Sequence, residues 1–570
     1  MKSFSNSNRK NVFLTTLATA AAVAAFGVAG TPQATATNLD QNFWIGPTPG
    51  NGTSGGNWGT AANWQVNLSI NSVNYVGHWV PGSNGNGSYD SSITPSGSGA
   101  TGGYQDDEYI NNGSTLNSTP SGGYNYTANP YTVIVNTNLS ANTSYRDLQI
   151  NSAFNFAGAP QPQSPVTVEV DSGGYLLSGQ TAISGGGVDA TLAINGGTAY
   201  LNGGTSVGQS LNYTSPGQAT GYLDVSSGTL YTSNVYAGNQ SNGVVNLSGT
   251  GVINTNTTPS GGNFYGGVDL GNGSTTVTVN GSPVFYPGVG TMNQTGGTLD
   301  IGRTVNVGQS SAGYYNMSGG TINSFDPSRH FWIGTNAAGT LNVSGGTANL
   351  ANVEVGSDNG NTSNTPNGLL EVSGGTVSMD SLAVGNPDNK GTGTLRITGS
   401  GGTIGTTSPR GELNTYANAV LDFQVGSTGV SALQATTGNP TDGRAIVNLS
   451  GTLELDLLGG FTPTHGQTFV LVSTDVTAAA SDGEAGIVTN AVTYSASNVT
   501  SYTNAGLNLD PTDAANWSWA VDPVGPSGSP TGYQLVATYI GQPTIPEPAT
   551  LGLMAVAGAG LLLIGRRKRA

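Results

Sequence analysis

The sequence predicts an all-β protein: a right-handed parallel β-helix with β-rich N- and C-terminal caps and a short C-terminal transmembrane helix. Three observations indicate the solenoid. A Gly-x-apolar-polar-apolar pattern recurs along the chain, a Gly-Gly-Thr turn follows several copies, and a second glycine stands at a nearly fixed distance after that turn. One copy cannot bury its own apolar face, so successive copies must stack on one another.

Residues 340–356 show the repeat most clearly. Leu341 and Val343 flank the polar Asn342, which is the alternation of a strand buried on one face. In the other copies the flanking positions stay apolar, whereas the middle position accepts several polar residue types. The middle position is therefore expected to face solvent. Its residues, in chain order, are Asp224, Asn246, Asn293, Asn316, Asn342, Glu371 and Arg396.

The spacing between turns sets the size of one coil. Between residues 298 and 403, the threonines that end these turns are 23 to 29 residues apart. Coils of about 22 to 25 residues give about eleven coils over residues 166–425. Insertions after the second glycine predict that length varies mainly on one loop face. A leucine-rich repeat is excluded because the chain lacks the leucine pattern of that fold. A propeller is excluded because each blade needs about 40 to 50 residues.

The N-terminal segment, residues 1–36, has the form of a secretory signal peptide. Lys2, Arg9 and Lys10 precede an apolar run in this segment. Ala34 and Ala36 then form the small-x-small pattern of a signal peptidase site. We therefore expect export and cleavage near Ala36, which would leave residues from 37 onward as the exported protein.

The C-terminal segment, residues 546–570, has three parts. An apolar stretch at 549–564 stands between a short Pro-Glu-Pro motif and a basic end, which the positive-inside rule places in the cytoplasm. As a helix this stretch covers about 24 Å, which is short for a hydrocarbon core of about 30 Å. A transient or processed anchor is therefore expected. The motif is Pro546, Glu547 and Pro548, and the basic end is Arg566, Arg567, Lys568 and Arg569.

These three parts resemble the PEP-CTERM sorting signal of bacteria that make exopolysaccharide. The resemblance implies that an exosortase-type transpeptidase recognises the tail and passes the protein to the outer cell surface or extracellular matrix. It covers only residues 546–570 of the chain, and the family's signal is attached to many unrelated proteins. It therefore implies a destination, whereas the activity must be inferred from the rest of the chain.

The other segments are assigned to caps and a linker. Residues 37–165 begin with Trp58 and Trp64, an arrangement that resembles the start of surface β-solenoid proteins such as autotransporter passengers. These two residues fit a capping role better than sugar stacking, because a solenoid end exposes unpaired strand edges. Residues 426–540 are predicted to form a second β-rich cap, and residues 541–545 are predicted to form a linker to the tail.

Composition excludes several kinds of chemistry. The chain has no Cys, which removes disulfides, thiol catalysis and thiolate metal sites, and its three His lie far apart in sequence. The formal net charge is −16, and seven of the 14 Lys and Arg lie in the end segments, so the basic surface that nucleic acid requires is absent. We expect no cofactor, since loop acids such as Asp358 and Asp388 are compatible only with weak Ca²⁺ binding.

The main alternative is an enzyme. Parallel β-helices that cleave polysaccharide place carboxylates, or an Arg base with Ca²⁺-binding Asp residues, on adjacent coils of one face. The outward column here is mostly asparagine, and carboxylates are not expected to recur on neighbouring coils. Glu371 and Arg396 are expected to form a cross-strand ion pair. We therefore predict no enzymatic activity and no catalytic residue.

Together these inferences predict a secreted, exosortase-sorted structural or adhesive protein of the cell surface or matrix, associated with exopolysaccharide or biofilm. Its expected partners are the exosortase-type transpeptidase, extracellular polysaccharide and, through the C-terminal helix, the membrane. Two alternatives stay open: a β-helix polysaccharide lyase or glycoside hydrolase, and an autotransporter-type adhesin passenger. The passenger is disfavoured because no run of amphipathic barrel strands follows the coils.

Overall fold

The computed structural model describes short segments between residues 41 and 150 and most of the chain from residue 165 to residue 541. The described segments are 41–44, 56–57, 64–70, 73–77, 107–110, 131–136, 145–150, 165–183, 189–209, 219–279, 282–357, 367–387, 390–406, 412–436, 447–475, 487–489, 491–494, 502–527 and 530–541.

Every regular element of the described residues is a β-strand, which confirms the predicted all-β class. The first seven strands are β1 (Gln41–Trp44), β2 (Gly56–Asn57), β3 (Trp64–Ile70), β4 (Val73–Gly77), β5 (Asp107–Ile110), β6 (Tyr131–Val135) and β7 (Tyr145–Ile150). The next ten are β8 (Val166–Asp171), β9 (Tyr175–Ile183), β10 (Ala190–Leu201), β11 (Thr205–Val207), β12 (Thr220–Thr232), β13 (Val235–Asn239), β14 (Asn242–Leu247), β15 (Val252–Asn254), β16 (Val268–Val279) and β17 (Ser282–Pro287).

The remaining strands complete the repeats and the C-terminal end. Those of the repeats are β18 (Gly290–Ile301), β19 (Val305–Val307), β20 (Gly313–Ser324), β21 (His330–Ile333), β22 (Ala338–Val355), β23 (Asn367–Val384), β24 (Thr392–Thr398), β25 (Gly402–Thr406), β26 (Glu412–Thr415) and β27 (Ala419–Val425). The last ten are β28 (Leu433–Ala435), β29 (Val447–Asn448), β30 (Gly451–Leu457), β31 (Thr468–Thr474), β32 (Ile487–Val488), β33 (Ala491–Tyr494), β34 (Tyr502–Ala505), β35 (Leu507–Leu509), β36 (Trp517–Val524) and β37 (Gly532–Tyr539).

Most strands pair in parallel with the equivalent strand of the next coil, which is the pairing of a parallel β-helix. Three ladders result. Face A contains the Gly-x-apolar segments, from β6 and β8 to β27, β30 and β35. Face B contains the segments after the Gly-Gly-Thr turn, from the start of β9 to β28 and β31. Face C contains the segments before the second glycine, from β5 and β7 to β29 and β32.

The parallel ladders extend past both predicted limits of the repeat region, residues 166 and 425. Toward the N-terminus, β2 pairs in parallel with β6, and β1 pairs in parallel with β5. Toward the C-terminus, β27 pairs with β30, and β29 pairs with β32. The coil of β27 is hard to recognise in the sequence because Ala419 occupies the position of the usual first glycine, opposite Gly393.

The C-terminal end changes from parallel to antiparallel pairing. There β37 pairs antiparallel with both β31 and β36. Phe469 and Trp517 lie between these strands with ring centroids 5.8 Å apart, and Trp517 contacts Tyr539 at 5.2 Å. Trp517 is only 3% exposed. These rings pack edge to face within the hydrophobic core of this end of the chain.

The alternation predicted from the sequence decides which side chains enter the core. Leu341 and Val343 are fully buried, whereas Asn342 between them is partly exposed. Tyr315 is the bulkiest fully buried side chain among the described residues. Its hydroxyl donates to Oε1 of Gln294 at 2.6 Å, so the buried phenol is satisfied. Burial raises the pKa of Tyr315 well above its usual value.

The corner between faces A and B is tight. Gly346 turns the chain there at a φ of +84°, and a Cβ atom at this position would lie 2.7 Å from the carbonyl oxygen of Gly320 on the preceding coil. The insertions of the described coils lie at the other two corners, at 255–267, at 273–288 and at 324–329. Insertions therefore occupy two corners instead of the single loop face that the spacing predicts.

Candidate functional site

The outward column of face A is a ladder of hydrogen-bonded side chains. The predicted outward residues, from Asp224 to Arg396, lie opposite one another coil by coil, as expected. Asn246 donates to Asp224 at 2.7 Å, Asn293 donates to Asn246 at 3.0 Å, and Asn316 donates to Asn293 at 3.1 Å. The side chains are partly exposed, so the ladder lies on the surface.

Face B carries two further polar columns. Asn323 donates to Asp300 at 2.9 Å, and Asn349 donates to Asn323 at 3.1 Å. A column of threonines runs beside them, and its members come from five successive coils. They are Thr298, Thr321, Thr347, Thr376 and Thr403.

The amides of these ladders keep hydrogen-bonding capacity for a ligand. A carboxamide has two N–H donors and an oxygen with two lone pairs. Asn293 uses one donor and one acceptor within the ladder, so one of each is left to face outward. The arrangement repeats about every 4.8 Å, the distance between stacked strands. We call the Asn246, Asn293 and Asn316 column and the Asp300, Asn323 and Asn349 column together the amide surface.

The C-terminal end of the face A column is charged. Nε of Arg396 donates to Oδ2 of Asp422 at 2.6 Å, whereas Glu371 lies opposite Arg396 on the preceding coil. The ion pair that the structure shows for Arg396 is therefore with Asp422 and not with the predicted partner. Asp422 also lies opposite Glu454, so the expectation that carboxylates do not recur on neighbouring coils is wrong. The sequence pattern misses this coil because it starts with Ala419.

This charged end has the properties of a structural ion pair. The side chain of Asp422 is 1% exposed, which keeps its carboxylate away from a ligand in solvent. The hydrogen bond to Asp422 raises the pKa of Arg396, which favours the protonated guanidinium. Burial raises the pKa of Asp422, and the bond from Arg396 partly offsets that effect.

Replacing Arg396 by Ala should destabilise the protein by about 2 kcal/mol. The variant buries an unpaired carboxylate, since the other oxygen of Asp422 accepts no hydrogen bond from the described residues. Urea unfolding at pH 7 measures the loss, and replacing Arg329, whose ion pair with Asp326 is exposed, by Ala is the control. Equal stabilities of the two variants would contradict the structural role of the pair.

The outward column of face C has a different composition from those of faces A and B. His330 and Trp332 both point outward from β21, and their rings stack with centroids 5.1 Å apart at an interplanar angle of 10°. The residues that lie opposite one another along this column are Tyr236, Asp269, Asn306, Trp332 and Glu354.

Glu354 is held as a carboxylate. Its Oε1 lies 2.6 Å from Nδ1 of His330. Burial alone would raise the pKa of Glu354, but hydrogen bonds from His330 and Ser357 more than offset burial, so this pKa lies below its usual value. Asp269 is three coils away, about 14 Å along the stack. That separation exceeds the 6.5 to about 9.5 Å between the two carboxyl groups of an inverting glycosidase.

Asp269 provides a prediction about pH. Burial raises its pKa to about 6, although Asn306 donates to it and Arg303 lies nearby. An unfolded Asp titrates near about 3.9, so the folded protein holds more protons between about pH 4 and 6, and stability falls as pH rises through this range. The Asp269→Asn variant should escape this fall and be about 3 kcal/mol more stable than the wild type at pH 7.5. Urea unfolding of both proteins at pH 4 and 7.5 tests this, and an equal pH dependence would contradict it.

The residues predicted for export and sorting lie outside the described part of the chain. They are Ala34, Ala36, Pro546, Glu547, Pro548, Arg566, Arg567, Lys568 and Arg569. Asp358 and Asp388, the loop acids considered for Ca²⁺, also lie outside it. Among the described residues, no three His, Asp or Glu side chains form a group that could hold a metal ion. In the same part of the chain no helix is long and apolar enough to cross a membrane.

Comparison with known proteins identifies the tail. Residues 544–569 match the PEP-CTERM protein-sorting motif, which confirms the resemblance of the Pro-Glu-Pro motif, apolar stretch and basic end. The motif indicates a secreted protein that an exosortase recognises and that is targeted to the cell surface. No curated protein and no solved structure matches the chain. The match therefore indicates how the protein is delivered and does not indicate what the solenoid does.

Proposed function

We propose that this exosortase-sorted protein is a structural and adhesive component of the cell surface or extracellular matrix, where its β-helix binds exopolysaccharide. The observation that carries the proposal is the amide surface. Its asparagines lie on successive coils and keep donors and acceptors that the ladders do not use, on two faces that meet at a corner without insertions.

The chemistry of a polysaccharide fits such a surface. Sugar hydroxyl groups both donate and accept hydrogen bonds, so a polymer chain can satisfy the outward donors and acceptors of several coils in turn. A single hydrogen bond contributes only about 0.5 to 1.5 kcal/mol net. Because the contacts belong to one polymer and one rigid solenoid, the second and later contacts form at high effective concentration. Binding would therefore come from repetition instead of one tight site.

The geometry of the acidic residues favours binding over cleavage. Asp422 and Glu454 lie on adjacent coils, but Asp422 is buried in an ion pair. Glu354 and Asp269 on face C lie too far apart to act on one glycosidic bond. We therefore propose that the protein has no enzymatic activity and that its role in a matrix or biofilm is mechanical.

A binding assay with matched variants tests the proposal. The purified exported protein is screened on an array of bacterial exopolysaccharides, beside a variant in which Asn246, Asn293 and Asn316 are replaced by Val. Valine favours the strand conformation and removes the outward donors and acceptors. The control replaces Asn414 and Asn448 by Val, a ladder pair on face C with an equivalent hydrogen bond of 2.9 Å.

On the polysaccharides that bind the wild type, the amide variant should bind at least tenfold more weakly, whereas the control should bind like the wild type. Equal binding by all three proteins would contradict the role of the amide surface. Reproducible shortening of a polysaccharide by the wild type would contradict the proposal that the protein only binds.

A further inference from the structure

We infer that a groove at the corner between faces B and C binds a segment of polysaccharide chain between two exposed aromatic side chains, Tyr265 and Phe325. The inference rests on the proposed function and deepens it, because it adds a localised contact to the distributed contacts of the amide surface. We call this feature the corner groove and define it by the loops 255–267 and 324–329 and by Arg303 between them.

The order of the coils creates the groove. Loop 255–267 joins face B to face C in one coil, and loop 324–329 makes the same connection two coils later. The coil between them turns the same corner with only Gly302, Arg303 and Thr304. Two long loops therefore flank one short corner, and the strands that carry them are about 10 Å apart. Arg303 is exposed on this short corner.

The first wall is a closed, hydrogen-bonded loop. The backbone N–H of Phe264 donates to the carbonyl oxygen of Asn256, and that of Gly266 donates to Thr255. Oδ1 of Asn254 accepts from the N–H groups of Asn256 and Thr257 at 2.9 and 2.8 Å. The loop is thus ordered before any ligand arrives, which lowers the entropic cost of binding.

The second wall is braced by different contacts. Oδ1 of Asp326 accepts from the backbone N–H of Ser328 at 2.9 Å, and Oδ2 of Asp326 accepts from Nε of Arg329 at 2.9 Å. Nδ2 of Asn352 on the next coil donates to the carbonyl oxygen of Pro327 at 2.8 Å. The N–H of Phe325 donates to Ile301 of the short corner, so this wall is also fixed to the middle coil.

Each wall presents one aromatic side chain to solvent. Tyr265 is 58% exposed and Phe325 is 54% exposed. Tyr265 has a φ of +53°, the left-handed region that a bulky residue enters only at a cost in free energy. The core gains little from this arrangement because the ring is mostly outside it. A strained and exposed aromatic residue is therefore better explained by a ligand contact than by packing.

The composition of the walls selects a sugar over an apolar ligand. Apart from Phe264, Tyr265 and Phe325, residues 255–267 and 324–329 contain only Asn, Asp, Ser, Thr, Arg, Gly and Pro, and no aliphatic side chain. An aromatic face packs on the C–H face of a pyranose ring, and the neighbouring polar groups bond the ring hydroxyls. An apolar peptide would leave those polar groups without partners.

Calorimetric titration with two defined hexasaccharides tests the groove. Cellohexaose represents a neutral chain and hexagalacturonate an acidic one, so the two arms also report whether Arg303 contributes a charge contact. The proteins compared are the full exported wild type, a double variant with Tyr265→Ala and Phe325→Ala, and a control with Phe285→Ala. Phe285 is equally exposed, at 59%, but lies on the hairpin formed by β16 and β17.

At least one hexasaccharide should bind the wild type, and the double variant should bind it at least tenfold more weakly. The Phe285→Ala control should stay within twofold of the wild type. We expect equal thermal unfolding midpoints for the three proteins, because all three substituted side chains are exposed. Equal midpoints exclude misfolding as the cause of weaker binding. Failure of both probes to bind, or an unchanged dissociation constant in the double variant, would overturn the inference. If the hexasaccharide result is negative but the amide variant still binds more weakly on the polysaccharide array, the proposed function stands without the groove.

Discussion

Deleting residues 546–570 should abolish delivery of the protein to the cell surface. These residues contain nearly all of the matched sorting motif. In a host with an exosortase, antibody labelling of intact cells should fall to background, while the total amount of the exported protein stays similar. A full-length Phe285→Ala variant, which keeps the tail and the amide surface, is the control for an altered solenoid and should reach the surface normally.

The contribution of the short motif can be separated from that of the whole tail. Replacing Pro546, Glu547 and Pro548 by Ala keeps the apolar stretch and the basic end. This variant should stay in the membrane fraction, because the anchor remains while recognition is lost. Normal surface labelling of either variant would contradict exosortase-dependent delivery.

Replacing Gly346 by Ala should destabilise the solenoid by about 4 kcal/mol. The added Cβ would lie 2.7 Å from the carbonyl oxygen of Gly320, at a backbone φ of +84°. Left-handed backbone costs an L-residue about 1 to 2 kcal/mol, and forcing atoms into a packed region costs about 1 to 3 kcal/mol more. The carbonyl oxygen of Gly320 cannot move away, because it belongs to the backbone of the stacked preceding coil.

A second glycine separates the two causes. Gly261 has nearly the same φ, +82°, but nothing lies within 4 Å of a Cβ atom built there. Gly261→Ala should therefore cost only about 1 kcal/mol, which reflects the backbone strain alone. Urea unfolding of both variants measures the difference. Equal losses would show that the close approach of the coils at the Gly-Gly corner contributes nothing.

The repeat made the core and the outward column predictable. Leu341 and Val343 are buried and Asn342 is outward, as the alternation requires, and the glycines at 308, 356 and 385 all have positive φ at a corner. These features depend on local periodicity, which the sequence displays directly. Stacking then brings equivalent positions together, so Asn246 and Asn293 meet although 47 residues separate them.

The features that depart from the repeat were not predictable in the same way. Asp422 escapes the pattern because Ala419 replaces its glycine, so its pairing with Arg396 appears only when the coils are stacked. The corner groove depends on two loops of different length and sequence that lie two coils apart. The chain between Thr321 and Gly334 is longer than the equivalent stretch of the preceding coil, so the sequence does indicate an insertion there. That this insertion lies two coils from loop 255–267 is known only from the stacking of the coils.

The most direct test of polysaccharide binding without cleavage is light scattering coupled to size-exclusion chromatography of an exopolysaccharide incubated with the purified exported protein. The polysaccharide should be one that binds the wild-type protein on the array. We expect the protein to elute with the polymer and the chain length of the polymer, measured after removal of the protein, to stay unchanged. Progressive shortening of the polymer that disappears in an Asp422→Asn or Glu454→Gln variant would contradict the account, because it would assign catalysis to the charged end of the face A column.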